Sequence, residues 1–242
     1  MELRTGYREW APPSALRPAV SCLWTSVVAS GSTTLVLPDA CADLIWQRGA
    51  GAFIAGPDTG PAPAVLPDGT VLVGVRLRPG AGGPALGIPL TELRDQRVAL
   101  LDVLPELAKQ LPGDLSPGAA VDRLSAMIAR LAAAGPPDTL VSHAARVLAG
   151  SRDRTDELAR ELGVSERHFR RRCLDAVGYG PKTLHRILRF RRFLSRVDAA
   201  GGRIDLSRIA VELGYADQAH LTRESVRLAG LPPAALVRAR RG

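Results

Sequence analysis

The chain has 242 residues, of which 46% are hydrophobic, and this is enough to build a buried core in each of two domains. Three scattered cysteines exclude a disulfide framework, and no uncharged apolar run is long enough for a membrane span. The net charge of +8 is concentrated near one end: residues 151–242 hold 20 Lys and Arg against 11 Asp and Glu, whereas residues 1–150 hold 12 against 13. We expect a cytoplasmic protein with no membrane partner, whose C-terminal region binds a polyanion.

The first hundred residues predict short β-strands that are separated by Gly and Pro turns. This spacing is typical of a small β-barrel or sandwich. Two amphipathic helices are expected to follow, Arg97 to Leu111 and Gly118 to Ala134, packed on the barrel or exposed as a lid or a dimerisation face. The expected strands are Ala19 to Val28, Thr33 to Leu37, Ala42 to Gln47, Ala52 to Ala55, Ala64 to Leu66 and Thr70 to Leu77.

Aromatic and basic residues of the predicted strands are candidates for an effector pocket that takes an anionic or aromatic ligand. The alternative is that the aromatic side chains simply fill the core of the barrel. The candidates are Trp24, Trp46, Phe53, Arg76 and Arg78.

The residues of the predicted barrel give little support for an enzyme. All four histidines lie at position 143 or later, so the predicted barrel has none of the usual ligands of a metal-dependent oxygenase or isomerase. Asp39, Cys41 and Asp43, with Cys22, do not have the spacing of a known metal site. The glycines of residues 80–85 fit a dinucleotide fingerprint only formally, because Pro84 and Pro89 prevent a long helix, and we expect a loop there. We therefore expect no catalytic residue, metal or cofactor.

The segment Gly135-Pro136-Pro137 predicts a stiff linker, which divides the chain into residues 1–135 and 136–242. The second part is predicted to be all helical, so that the fold class of the chain is α+β. Its seven expected helices are Asp138 to Leu148, Arg154 to Leu162, Ser165 to Ala176, Pro181 to Val197, Leu206 to Leu213, Asp217 to Ala229 and Pro232 to Arg240.

A repeat is the strongest signal in the chain. The segment from Leu158 to Gly178 is echoed from Ile209 to Gly230, with one residue added in the second turn. Each copy has a short helix, a glycine turn, a capping residue (Ser165 or Asp217) and a second helix, which are the parts of a helix-turn-helix. Because a solenoid needs at least three stacked units, two copies favour DNA binding instead.

Outward positions on the second helix of each unit supply the candidate DNA contacts. Expected base contacts are Arg167, Arg170 and Arg171 in the first unit and Gln218, Ala219, His220 and Arg223 in the second. Expected phosphate contacts are Lys182, Arg186, Arg189 and Thr222. The helix from Pro181 to Val197 is about 25 Å long, which places the two units about one DNA turn apart.

These motifs resemble the AraC/XylS family of bacterial transcription regulators, most specifically in the string from Ile209 to Glu224 and in Gly230 and Pro233. Family members commonly have Phe at the positions of Cys173, Leu221 and Ser225, so a looser second unit is expected. Residues 37–46 and 55–59 also resemble a cupin-like sensory domain. The resemblance implies a sequence-specific DNA-binding regulator, with double-stranded DNA and RNA polymerase as partners, and with an effector and a homodimer as further expectations. The competing interpretation is a ligand-binding or catalytic barrel with a basic tail.

Overall fold

The computed structural model describes residues 5–29, 31–150, 155–200 and 204–241. The strands are β1 (Gly6–Trp10), β2 (Val20–Val27), β3 (Ser32–Val36), β4 (Ala42–Gln47), β5 (Gly51–Ala55), β6 (Ala62–Leu66), β7 (Val71–Leu77) and β8 (Arg97–Ala99). Antiparallel pairing arranges six of them in the order β1-β2-β7-β4-β5-β8 in one sheet and pairs β3 with β6 in a separate ribbon, and both sheets are open. All six predicted strands are confirmed, and β1 and β8 were not predicted.

The six-stranded sheet has two chemically different faces because successive side chains alternate. On β7, the side chains of Val71, Val73 and Val75 point into the main core of the N-terminal domain. Leu72 and Arg76 lie on the opposite face. A register shift in β2 between Val20 and Cys22 places Trp24 opposite Gly74 on that second face.

The described residues of the N-terminal domain form four α-helices: α1 (Gly82–Leu86), α2 (Leu100–Val103), α3 (Pro105–Ala108) and α4 (Pro117–Ala134). The helix predicted over Gly118 to Ala134 is confirmed as α4, which packs in the main core. The continuous helix predicted from Arg97 to Leu111 is wrong, because Arg97–Ala99 pairs with β5 and Pro105 starts a new helix. The loop expected at residues 80–85 contains the short α1, since a proline is tolerated in the first turn of a helix.

The C-terminal region contains all seven predicted helices, and the α+β fold class is confirmed. The start predicted at Arg154 lies outside the described residues. The helices are α5 (Thr139–Gly150), α6 (Thr155–Glu161), α7 (Glu166–Val177), α8 (Pro181–Ala199), α9 (Leu206–Glu212), α10 (Gln218–Ala229) and α11 (Pro233–Arg241). No helix in the described part of the chain combines the length and apolar character needed to cross a membrane.

The two repeats have the same backbone geometry. In the first turn Val164 N–H donates to the carbonyl of Ala159, and in the second Tyr215 N–H donates to that of Ala210; both are six-residue closures of the Schellman type. The glycines of these turns, Gly163 and Gly214, have φ angles of 66° and 80°. Ser165 and Asp217 accept a backbone N–H at the start of α7 and α10, as their positions in the sequence predicted.

One hydrophobic core joins both units. Helix α8 contributes Leu184, Ile187, Phe190 and Phe193, which are fully buried among side chains of α5, α6, α7, α9 and α10. Apart from Ala40 and Leu37, which join the helical core, the residues of the two cores lie on either side of residues 135–137, where the domain boundary stays a prediction.

The three positions that differ from the family pattern, Cys173, Leu221 and Ser225, are all completely buried. The hydroxyl of Ser225 has no hydrogen-bond partner among the described residues. A buried donor without a partner loses its hydrogen bonds to water and gains none in the protein, so it destabilises the fold.

We expect Ser225→Ala to raise the free energy of unfolding by about 1 kcal/mol, because it removes this unpaired hydroxyl from the core. Chemical denaturation followed by far-ultraviolet circular dichroism measures the change. Ser195→Ala is the matched control, since Ser195 is exposed on α8 and reports only the helix propensity of alanine. Equal effects of the two substitutions would mean that the Ser225 hydroxyl finds a partner in solution.

Candidate nucleic-acid interface

The N-terminal half of α7 presents the three predicted arginines to solvent. Arg167, Arg170 and Arg171 are exposed, while Phe169 and Cys173 on the same helix are buried in the core. Within the described residues, none of the three arginines pairs with a carboxylate; Arg171 Nη2 lies 3.5 Å from His168 Nδ1. Their guanidinium groups are therefore available to an external acceptor.

Helix α10 presents a more constrained surface. Gln218, Ala219 and Arg223 are exposed, and Arg223 makes no hydrogen bond or ion pair within the described residues. The Oε1 atom of Gln218 accepts from Ser207 Oγ at 2.7 Å, so pairing with adenine through both amide atoms requires this bond to be shared or released.

Two predicted contacts of α10 have partners inside their own unit. His220 Nδ1 accepts from the N–H of Ala216 at 3.3 Å, and its ring packs edge-on against Tyr215. Thr222 Oγ1 donates to the carbonyl of Gln218 at 2.9 Å. For these two residues a positioning role fits the geometry better than the predicted base and phosphate contacts.

The residues predicted to contact phosphate differ in whether their side chains already have partners in the protein. Lys182 is exposed in the first turn of α8 and has no partner within the described residues. Arg186 Nε pairs with Glu224 Oε2 at 2.9 Å, and both side chains are largely buried. Arg189 donates to the carbonyl of Gly214 and lies over the ring of Tyr215, 4.3 Å from its centre. The geometry therefore argues against the phosphate contacts predicted for Arg186 and Arg189, which connect α8 to the second unit.

Other arginines also connect helices to one another. Arg172 pairs with Asp138 at the start of α5, and Arg240 pairs with Asp198 of α8. Arg196 and Arg208 share Glu212, which joins α8 to α9. Within the described residues, the basic side chains thus include arginines that pair with acids and connect helices, and exposed arginines on α7 and α10 that pair with no carboxylate.

Sequence reasoning missed Ser207 and Tyr215, which hold Gln218, His220 and Arg189 in place. The residue added to the second turn was the available signal, because the turn that it enlarges contains Tyr215 and Ala216. The sequence alone does not give the partners of these side chains.

The five predicted effector-pocket residues do not line one cavity. Trp24, Phe53 and Arg76 share the second face of the six-stranded sheet, whereas Trp46 is buried in the core on the other face. Arg78 Nε donates to the carbonyls of Arg17 and Val20, so this side chain stabilises the backbone there. The prediction of a common pocket is wrong for Trp46 and Arg78, because the strand register separates them from the other three.

Arg76 is surrounded by acidic groups, which leaves it poorly suited to bind an anion. Its guanidinium lies 3.2 Å from carboxylate oxygens of Asp39 and Asp43 and 3.0 Å from Glu9. Burial raises the pKa of the Asp43 carboxyl to about 6, although Arg76 opposes the shift. Trp24 Nε1 donates to the same carboxyl at 3.0 Å. No metal-binding group of three or more His, Cys, Asp or Glu occurs within the described ranges.

Comparison with known proteins agrees with this geometry. Residues 158–239 match the family described as "Helix-turn-helix domain", and residues 8–99 match "Domain of unknown function (DUF6597)". No curated protein matches the sequence.

Solved structures of ToxT from Vibrio cholerae are similar to this chain. One is 12% identical, with a TM-score of 0.50 and with 91% of this chain and 98% of ToxT covered. A second, at 1.65 Å resolution, has the same identity and TM-score and covers 91% and 99%. At this identity the likeness shows the fold alone.

The fold and the helix-turn-helix match define a DNA-binding regulator of transcription. The helix-turn-helix match agrees with the resemblance of the sequence to the AraC/XylS family, and a β-rich domain precedes the helix-turn-helix units.

We expect the fluorescence of Trp24 to titrate with a midpoint near pH 6, because its indole donates to Asp43. The pKa of Asp43 in the folded protein exceeds its ordinary value of 3.8, so its contribution to stability is present below about pH 4 and is lost as the pH rises through about 6. Emission measured from pH 4 to pH 8 tests this.

Asp43→Asn should abolish the titration, and Trp46→Phe should leave it in place, since Trp46 donates instead to the carbonyl of Pro112. A titration that persists in Asp43→Asn would contradict the assignment to Asp43.

Proposed function

We propose that this regulator reads a specific DNA sequence by placing α7 and α10 in two adjacent major grooves of one duplex. A single observation carries the proposal: the equivalent second helices of two units, which are capped in the same way, expose arginines that pair with no carboxylate of the described residues. Arg167, Arg170 and Arg171 do so on α7 and Arg223 on α10, whereas the arginines that connect helices are paired with acids. An exposed arginine that pairs with no carboxylate can donate two hydrogen bonds to the O6 and N7 atoms of guanine.

The start of α8 supplies the phosphate contact in this proposal. Lys182 follows Pro181 in the first turn, and the N-cap residue is Gly180, which has no side chain to occupy the free N–H groups. The positive end of the helix and the Lys182 ammonium both favour a phosphate there. Gly180 lies beside the side chain of Arg170, so this phosphate would neighbour the bases that α7 contacts.

The connecting helix, α8, sets the distance between the two helix-turn-helix units in this proposal. Helix α8 has 19 residues, which corresponds to about 28 Å at 1.5 Å per residue. This length is comparable to the rise of one DNA turn, about 34 Å. An effector pocket made of the five predicted residues is not part of the proposal, because the sheet separates them; RNA polymerase and a second copy of the chain stay predicted partners.

Selection of bound sites from random duplexes should yield one motif with two parts about 10 base pairs apart. Arg171→Ala should relax the preference in one part and Arg223→Ala in the other, each with a loss of about 1–3 kcal/mol in binding free energy. Quantitative mobility shifts at constant salt measure both effects.

Arg196→Ala is the matched control, because Arg196 is an exposed arginine that pairs with Glu212 away from the two second helices. A uniform loss over all sequences would make Arg171 and Arg223 phosphate contacts. Relaxed preference within the same part for both variants would refute reading by two units.

Replacement of Lys182 tests the phosphate contact separately. Lys182→Ala should weaken binding equally for every sequence and should reduce the slope of log affinity against log salt by about 1. The slope is measured between low and moderate salt with the selected duplex. Arg186→Ala, where the guanidinium is already paired with Glu224, should leave that slope unchanged; an equal reduction would restore Arg186 as a phosphate contact.

A further inference from the structure

A segment of the N-terminal domain is buried in the core of the DNA-binding domain. Ala40, which precedes β4, is 2% exposed and belongs to the hydrophobic cluster of α5–α11, with Leu37 packed beside it. Its φ angle of 68° is in the left-handed region, which alanine rarely adopts. Such a conformation persists only when the surrounding contacts determine it, so the docking of this segment is specific.

Asp39 connects the two domains directly. Its carboxylate lies 3.2 Å from Arg76 Nε on the sheet, and its carbonyl accepts from Arg191 Nη1 of α8 at 3.1 Å. The other carboxylate oxygen accepts the N–H of Cys41 at 2.9 Å, which closes the turn around Ala40. One residue therefore contacts both the acidic cluster of the sheet and the helix that joins the two helix-turn-helix units.

A second loop of the N-terminal domain, residues 57–61, contacts the same end of both units. A Cβ atom built on Gly178, the C-cap of α7, would lie 2.7 Å from Pro57 Cγ. One built on Gly230, the C-cap of α10, would lie 3.8 Å from Pro61 Cγ. The two second helices thus direct their C-terminal ends toward one loop, while their N-terminal halves remain exposed.

One buried polar group at this interface makes no hydrogen bond in the part of the chain that the structure describes. Tyr179 follows Gly178 and is 2% exposed, and its hydroxyl makes no hydrogen bond within the described residues. Asp39 and Asp58 are among the charged groups close enough to act on it. A buried unpaired hydroxyl opposes the closed arrangement, so the docked state is held by the contacts of Ala40 and Asp39 against this cost.

We propose that the segment Leu37–Cys41 is an interdomain joint that couples the acidic cluster around Arg76 to α8 and thereby holds the sensory domain and both helix-turn-helix units as one cooperative body. Asp39 and Ala40 are positioning residues in this joint. The inference rests on the proposed function for its regulatory meaning, since movement of Arg76 is transmitted through Asp39 to the helix that sets the spacing of the units.

Unfolding of the full chain tests the joint without DNA. All three tryptophans, Trp10, Trp24 and Trp46, lie in the N-terminal domain, so their fluorescence reports that domain. Ellipticity at 222 nm reports mainly the helices, most of which are C-terminal. In the wild-type chain, the two signals should show coincident urea transitions.

Two variants should separate the transitions. Ala40→Glu places a carboxylate in the helical core, and Arg191→Glu removes the donor to Asp39 and adds a like charge at an exposed position. Each should split the midpoints by about 0.5 M urea or more. Arg196→Glu is the charge-matched control on the same helix, and its midpoints should stay coincident because Arg196 pairs only within the C-terminal domain.

Coincident transitions in Arg191→Glu would overturn the joint, whether or not Ala40→Glu folds. Site selection with Arg191→Glu is measured in parallel. If the two transitions of Arg191→Glu coincide and the chain still selects a DNA motif, the joint alone is refuted. If the transitions of Arg191→Glu split and the wild-type chain selects no motif, the proposed DNA reading alone is refuted.

Discussion

The packing of α8 against both helix-turn-helix units is the interaction on which the DNA-binding domain depends. Phe190 and Phe193 are fully buried, and their ring centres are 6.1 Å apart, in the range of favourable tilted aromatic pairs. Each buried side chain of this size contributes about 1.5–3 kcal/mol. Because one core includes residues of both repeats, the packing holds the two units together and fixes the exposed surface of each relative to the other.

This core also determines what the arginines do. A helix face that packs inward leaves its long basic side chains at the edges, where they reach acids on neighbouring helices, as Arg172 reaches Asp138 and Arg186 reaches Glu224. The N-terminal halves of α7 and α10 project beyond these neighbours. Their arginines therefore keep the capacity for hydrogen bonds that the connecting arginines have used. The composition shows how many more basic than acidic residues the chain has. Only the packing shows which arginines connect helices and which are exposed on α7 and α10.

The helical half of the fold could be predicted from the sequence because its signals are local. Ser165 and Asp217 cap the helices that follow them, and the repeat shows the same turn twice. The prediction of a helix from Arg97 was wrong for the opposite reason. Arg97–Ala99 is a strand only because it pairs with β5, and the periodicity of a local segment does not reveal a partner that is distant in the sequence.

The candidate site shows the same limit. Exposure of Arg167, Arg170 and Arg171 follows from helical periodicity, so the prediction of their outward position is correct. The partners of Arg186, Arg189 and His220 come from other helices or from an enlarged turn, which periodicity does not describe. Trp24 and Trp46 look equivalent in the sequence, yet the register of β2 and β4 against β7 places them on opposite faces of the sheet.

The position of the N-terminal domain bears on how regulation is achieved. Its contacts with the helical domain include the C-caps of α7 and α10, Asp138 and Ser142 at the start of α5, and Arg191 on α8. The predicted base-contact residues Arg170, Arg171 and Arg223 stay exposed beside it. In the proposed DNA-binding mode, this arrangement leaves the exposed halves of α7 and α10 uncovered and places the N-terminal domain at their C-terminal ends. A small displacement at these ends would change the angle at which the exposed halves meet a groove. On this argument the acidic cluster at Arg76 and the unpaired hydroxyl of Tyr179 matter for the same reason, because both bear on the stability of the docked arrangement without contacting DNA.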